Sequence, residues 1–169
     1  MLRLTGAVLT AASCAWIGFR KADALKSREQ ALWEMGQGLG LLAQELELDA
    51  PPLPRLMERL AARTQGCAGA LFSGCCAGLE RLDRESFPDL WRRLVGLCPQ
   101  LGEDGMECLA GLGETLGRCG VDAQLRAVDG VRRQLEQLAR CAREDTQRLG
   151  RVYRLMGLSG GGFLVILLL

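Results

Sequence analysis

Apolar residues recur every three or four positions through the middle of the chain, separated by Gly, Pro and charged residues, a spacing that predicts helices. Leu25, Leu32, Leu39, Leu42 and Leu46 make the first stripe, which Pro51-Pro52 closes. Leu53, Leu56, Met57 and Leu60 predict a second helix stopping near Gly66, and a third is expected from Cys67 to Leu82. A fourth begins at Ser86 with Pro88 in its first turn, buries Phe87, Leu90, Trp91 and Leu94, and ends at Cys98-Pro99. Met106, Leu109, Leu112 and Leu116 predict a fifth over about Asp104 to Leu116. The last starts near Asp122 and carries Leu125, Val128, Leu135, Leu138 and Ala142. No run alternates with the period of two that a strand requires.

The ends break this pattern. Leu4 to Phe19 is uncharged and apolar, closed by Arg20 and Lys21; Leu155 to Leu169 is its counterpart, preceded by Arg148, Arg151 and Arg154. Sixteen helical residues cover about 24 Å, short of the roughly 30 Å hydrocarbon core, a gap that snorkelling of Arg3 and Arg154, with Trp16 at an interface, helps to close. Cations on the inner side of both runs place residues 20–154 in the cytoplasm by the positive-inside rule. The expected fold is all-α: a bundle of about six helices between an N-terminal and a C-terminal transmembrane helix. The corresponding domains are 1–20, 21–153 and 154–169. Two other readings of the N-terminal run stay open, a signal peptide and a lipoprotein box around Ala11-Ala12-Ser13-Cys14. The rival for the C-terminal run is a core helix, against which stands the all-round apolarity of Phe163–Leu169.

Composition narrows the chemistry. The chain has 169 residues, enough for one domain, and a formal charge of +1, which offers no basic field for nucleic acid. It contains no histidine, so His-based acid–base, triad and metal chemistry are closed. The two lysines, Lys21 and Lys26, sit beside the N-terminal apolar run, away from any buried site. The expectation is a protein that is not an enzyme, with no catalytic residues, no metal and no cofactor. The eight cysteines include no C-x-x-C pair. In Ala/Gly/Leu surroundings they read as small reduced hydrophobes, with a disulfide framework or metal site as the alternatives.

A few local patterns ask for comment. Gly36-Gln37-Gly38-Leu39-Gly40 lacks the preceding strand and final glycine of a dinucleotide loop, and Gly160-Gly161-Gly162 lacks the Lys and Ser/Thr of a phosphate loop. Ala11 with Ala15, and Gly157 with Gly161, are small-xxx-small pairs suited to helix packing inside a membrane. Glu45 and Glu47 precede the Pro-Pro break as an acidic contact point or a solvated helix end. Gly113-Glu114-Thr115-Leu116-Gly117-Arg118 places two glycines and a charged pair at a helix end. The partner-binding or framework candidates are therefore Glu45, Glu47, Gly113, Glu114, Gly117 and Arg118.

These blocks together resemble the stage III sporulation protein AB family of endospore-forming bacteria. The resemblance starts at Met1-Leu2-Arg3-Leu4 and Trp16-Ile17-Gly18-Phe19, continues through Glu45-Leu46 and Pro52-Leu53, and is sharpest at Leu112–Arg118. It returns at Met156-Gly157-Leu158 and Leu164–Leu169. The chain departs from the family at Cys119-Gly120, where a small residue and an Asp are usual, and lacks an aromatic near Leu48. The resemblance implies a protein similar to the platform protein of type II secretion, in the mother-cell membrane around the forespore. Its expected partners are the AA-like secretion ATPase, other membrane components of the mother cell–forespore channel, and the lipid bilayer, with no nucleic acid. A stand-alone membrane-tethered regulatory adaptor and a secreted lipoprotein modified at Cys14 are the alternatives.

Overall fold

The computed structural model describes the backbone of residues 2–79 and 86–168, and the side chains of Trp16, Arg20, residues 23–79 and residues 86–148. Every regular element among these residues is helical, with no strand. In chain order they are α1 (Leu2–Leu48), α2 (Leu53–Arg63), α3 (Gly66–Leu79), α4 (Phe87–Val95), a 3-10 turn at Pro99–Leu101, α5 (Gly102–Ala110), α6 (Leu112–Thr115) and α7 (Val121–Leu168).

The helix ends follow from local chemistry. Pro51 and Pro52 stop α1, and Pro52 and Pro54 open α2 at positions where no backbone donor is needed. Thr64 turns extended at the end of α2, with its hydroxyl donating to the Leu60 carbonyl at 2.7 Å. Ser86 caps α4 by accepting from the Asp89 amide at 3.4 Å, and Pro88 follows in the first turn. Glycine supplies a left-handed backbone just after α6, where Gly117 has φ +75°.

The chain separates into two compact units, Gln30–Arg140 and the pair Met1–Glu29 with Cys141–Leu169. In the first, Leu32, Met35, Leu39, Leu42 and Leu46 of α1 are buried together with Leu56, Met57 and Leu60 of α2. Leu71 and Phe72 of α3 and Leu90 and Trp91 of α4 are also fully withdrawn from water. Small residues on α3 let α4 lie close: a Cβ at Gly78 would meet Leu90 at 2.5 Å, and one at Gly74 would meet Leu94 at 2.8 Å. Gly105 of α5 faces Leu32 of α1 and Leu135 of α7, so a bare backbone admits both leucines. In the second unit, Arg143 approaches Glu29 at 3.9 Å and the Thr146 hydroxyl donates to the Ala142 carbonyl.

Several expectations need adjustment. The expected fifth helix over Asp104–Leu116 is two helices with a bend at Gly111. At that bend the Leu109 carbonyl accepts a hydrogen bond from Trp91 Nε1 at 2.8 Å, and a side chain entering the helical ladder is a recognised cause of kinks. Val95 rather than Leu94 completes the buried face of α4, while Leu94 sits half-buried against Gly74. The third helix is observed to Leu79, and residues 80–85 lie outside the described set.

The transmembrane expectation fares differently from the helical one. Helices do run through both terminal segments, but neither is a separate element: α1 continues from Leu2 to Leu48 and α7 from Val121 to Leu168. Among the described residues no helix is long and apolar enough to cross a membrane. The side chains of Ala11, Ala15, Gly157 and Gly161, and of Cys14, lie outside the described residues.

Candidate functional site

Two polar constructions stand out in the Gln30–Arg140 unit, and each contains candidates from the sequence. The first ties α1 to α2. Glu45 faces inward near the end of α1 and is only 7% exposed, an expensive place for a carboxylate unless it is paired. Arg59 Nη1 donates to Glu45 Oε2 at 2.9 Å, and Arg63 Nη1 donates to Oε1 at 2.7 Å. Arg59 and Arg63 are four residues apart, so they lie one above the other on one face of α2 and each takes one carboxylate oxygen. The hydrogen bond from Arg59 holds the Glu45 carboxyl below its usual pKa; burial opposes this, and the charges of both arginines reinforce it. The same hydrogen bond makes Arg59 more firmly protonated than usual. Glu47, two residues on, points to solvent.

The second construction is the Gly113–Arg118 block. Leu112 and Leu116 are buried, and between them Gly113 lies directly on Trp91: a Cβ there would fall 2.7 Å from Cδ1 and 2.8 Å from both Cβ and Cγ. Trp91 is itself fully buried, with ring centroids 6.5 Å from Phe72 and 6.0 Å from Phe87. Glu114 is exposed and accepts from Arg92 Nη2 at 3.3 Å, and Arg92 also bonds Asp89 at 3.2 Å. Gly117 turns the chain after α6, and a Cβ on it would meet Leu53 at the start of α2 at 3.2 Å. Arg118 is exposed, with its amide bonded back to Thr115.

The six candidates therefore divide. Glu45 and Gly113 are held within the packing, Gly117 is exposed at a turn beside Leu53, and Glu47, Glu114 and Arg118 face water. Among the described residues no hydrogen bond or ion pair joins Glu45 to the Gly113–Arg118 block; both sets meet α2, at Arg59 and Arg63 and at Leu53. Sequence reasoning missed the arginine clamp, although the spacing of Arg59 and Arg63 on an amphipathic helix was a usable signal. It also missed Glu34, whose Oε2 accepts from the Cys67 amide at 3.1 Å and occupies the start of α3. Gly66, with φ +61°, makes room for it, since a Cβ there would overlap the Glu34 carboxylate.

Glu45 is neutralised by two cations, and among the described residues no group of three or more acidic or cysteine side chains is placed to hold a metal. The seven cysteines among the described residues are free; Cys75 and Cys98 are buried, whereas Cys119 and Cys141 are exposed and so do not act as small hydrophobes.

Neither curated proteins nor solved structures provide a match to the chain. A family model for stage III sporulation protein AB matches residues 3–169. That span takes in the Glu45 clamp, the Gly113–Arg118 block and both terminal helices, and the chain belongs to the stage III sporulation protein AB family.

Proposed function

We propose that the protein is a non-enzymatic membrane platform of a secretion-like channel between mother cell and forespore, with its helical unit docking an AA-like ATPase. The observation that carries this reading is the family match over residues 3–169, which assigns a role in stage III of sporulation. The platform role and the ATPase are the finer steps. Two features support them. The apolar runs Leu4–Phe19 and Leu155–Leu169, each flanked inside by cations, suit anchoring of both ends in the mother-cell membrane around the forespore, with the Gln30–Arg140 unit on the cytoplasmic side. Glu47, Glu114 and Arg118 offer charged groups on a framework that Glu45, Gly113 and Gly117 hold in place, which suits a repeated, reversible contact with a soluble partner.

The test has two arms. Membranes of sporulating cells are washed with carbonate and the retained protein is weighed intact. Retention at the mass of Met1–Leu169, allowing for initiator processing, supports integral anchoring; a mass beginning at an acylated Cys14 replaces it with the lipoprotein reading. In the second arm the detergent-solubilised full chain is used to co-purify the ATPase. Arg118→Glu should keep the melting temperature and lose most of the bound ATPase. Equal recovery with the variant removes Arg118 from the contact, and no recovery with the parent chain removes the adaptor role.

A further inference from the structure

Trp33 stands out in the Gln30–Arg140 unit: it is 61% exposed in a stretch of α1 where Ala31, Leu32 and Met35 are buried. A lone surface leucine is ordinary, whereas an exposed indole with arginines beside it has the composition of a contact surface. The neighbour on one side of Trp33 is α7. A Cβ at Gly40 of α1 would stand 3.9 Å from Cδ of Arg132 on α7, and Leu32 and Leu135 meet at Gly105. Moving back along α1 therefore moves forward along α7, so the two helices run antiparallel. Trp33 precedes Gly40 by seven residues, two helical turns, and so lies on the same side of α1, toward the seam with α7. Arg140 follows Arg132 by eight residues. Both steps cover about 10–12 Å, which brings Trp33 level with Arg140.

Arg140 is one of a row. Arg126, Arg133 and Arg140 recur every seventh residue, all exposed, while Val128 and Leu135 on the other side of α7 are buried. A seven-residue repeat drifts by only about 20° per step, so the row runs nearly along the helix axis for about 21 Å. Among the described residues none of the three makes a hydrogen bond or ion pair. The acids next to them are engaged elsewhere: Asp129 and Glu136 both turn to Arg132, at 3.3 and 3.5 Å. Because α1 and α7 bury their leucines toward one core, their exposed sides look outward together. On the α1 side Trp33 is followed by the exposed, uncharged Gln37 and Gln44.

We propose that Trp33, Arg133 and Arg140 form a docking surface for an acidic amphipathic helix of a partner protein. The apolar stripe of that helix covers the Trp33 indole, and carboxylates seven residues apart along its flank answer Arg133 and Arg140. Charge and repeat together select this occupant: the unanswered groups are cations, and their spacing is that of one line of residues on a helix. An anionic bilayer also attracts arginines, but it would meet the carboxylates of Asp129 and Glu136 as well. Gln37 and Gln44, moreover, offer acyl chains nothing apolar to take up. Docking here stands independently of the ATPase contact assigned to Glu114 and Arg118.

The test uses the full chain in uncharged detergent micelles and two fluorescein-labelled synthetic helices of about 18 residues, long enough to span Arg133 to Arg140. Both carry one leucine stripe; one has glutamates seven residues apart beside it, the other lysines at the same places. Fluorescence anisotropy, with empty micelles as the blank, reads the affinity. The parent chain should bind the glutamate helix in preference to the lysine helix, and more weakly as salt is raised. The double variant Arg133→Glu, Arg140→Glu should weaken the glutamate helix on the order of tenfold or more and bind the lysine helix instead. Trp33→Ala should weaken it on the order of tenfold, and Arg55→Glu, on α2, should bind as the parent does, with melting temperatures confirming that all three fold. The proposal is overturned if the parent binds neither helix, or both equally. It is also overturned if the two arginines instead govern flotation with phosphatidylglycerol vesicles, or self-association in sedimentation, and leave peptide binding unchanged. The parent's choice between the two helices decides the matter even if a variant does not fold.

Discussion

Replacing Gly113 by alanine isolates the physical demand behind the most distinctive block of the chain. A methyl at this position would stand 2.7 to 2.8 Å from three atoms of Trp91. Carbon atoms in contact prefer about 3.5–4.0 Å, so the two surfaces must part by on the order of 1 Å. Rotation of the indole cannot supply this, because one of the three atoms is the Trp91 Cβ, which moves only with the α4 backbone. The indole is further fixed by Phe72, Phe87 and its hydrogen bond to Leu109. Separating α6 from α4 should cost about 1–3 kcal/mol in overpacking, and weakening the Trp91–Leu109 bond about 1 kcal/mol more. Alanine recovers up to about 1 kcal/mol of helix propensity. The net is a destabilisation of about 2 kcal/mol, or roughly 4–8 °C in melting temperature for a chain of this length. Matched controls carry the opposite sign. A Cβ at Gly111 or Gly130 meets nothing within 4 Å, and neither has a left-handed backbone. Gly111→Ala and Gly130→Ala should therefore leave stability unchanged or raise it by about 0.4–1 kcal/mol. Thermal unfolding of all three followed by circular dichroism is the assay. A melting temperature for Gly113→Ala at or above that of the parent would refute the reasoning, because propensity would then have outweighed the contact.

Three further outcomes follow from the same packing. Trp91→Phe keeps an aromatic ring but removes the Nε1 donor to Leu109, whose carbonyl keeps the Gly111 amide, and urea unfolding should show a loss of about 0.5–1.5 kcal/mol for the lost hydrogen bond. Gly66→Ala forces a side chain into a left-handed backbone and onto the Glu34 carboxylate; it should lower the melting temperature, and a second change, Glu34→Ala, should restore part of the loss. The Glu45 carboxyl is held below the usual carboxylate range, so its contribution is present above that range and is lost as the pH falls through the depressed pKa. Melting temperatures measured between neutral pH and pH 3 should thus show an acid-induced drop that is smaller in Glu45→Gln, whose neutral-pH stability starts lower; parallel acid profiles would remove Glu45 as a source of that drop.

The sequence made some of this legible because periodicity reports burial directly. Leu32, Leu39, Leu42 and Leu46 are buried as their spacing demands, and Ser86 with Pro88 marks the start of α4. Proline and serine act within one turn of their own position, so their message survives without a partner. What stayed hidden depends on contacts distant along the chain. The bend at Gly111 arises where the Leu109 carbonyl is bonded by Trp91, 18 residues before Leu109, and nothing local in Ala110-Gly111-Leu112 announces it. The Glu45 clamp spans 14 and 18 residues, and the Glu34 cap on α3 spans 33. The Gly113–Arg118 block lies between these cases. Its oddness was plain, but the reason for each glycine was not: Gly113 answers to Trp91 on α4, and Gly117 to its own left-handed backbone beside Leu53 on α2. That division bears on how the block can act. A short helix pinned by one glycine to α4 and by another to α2 has little freedom to move alone. A load applied at Glu114 or Arg118 would therefore pass to α4 through Trp91 and Arg92, and to α2 through Leu53, rather than be absorbed at the surface.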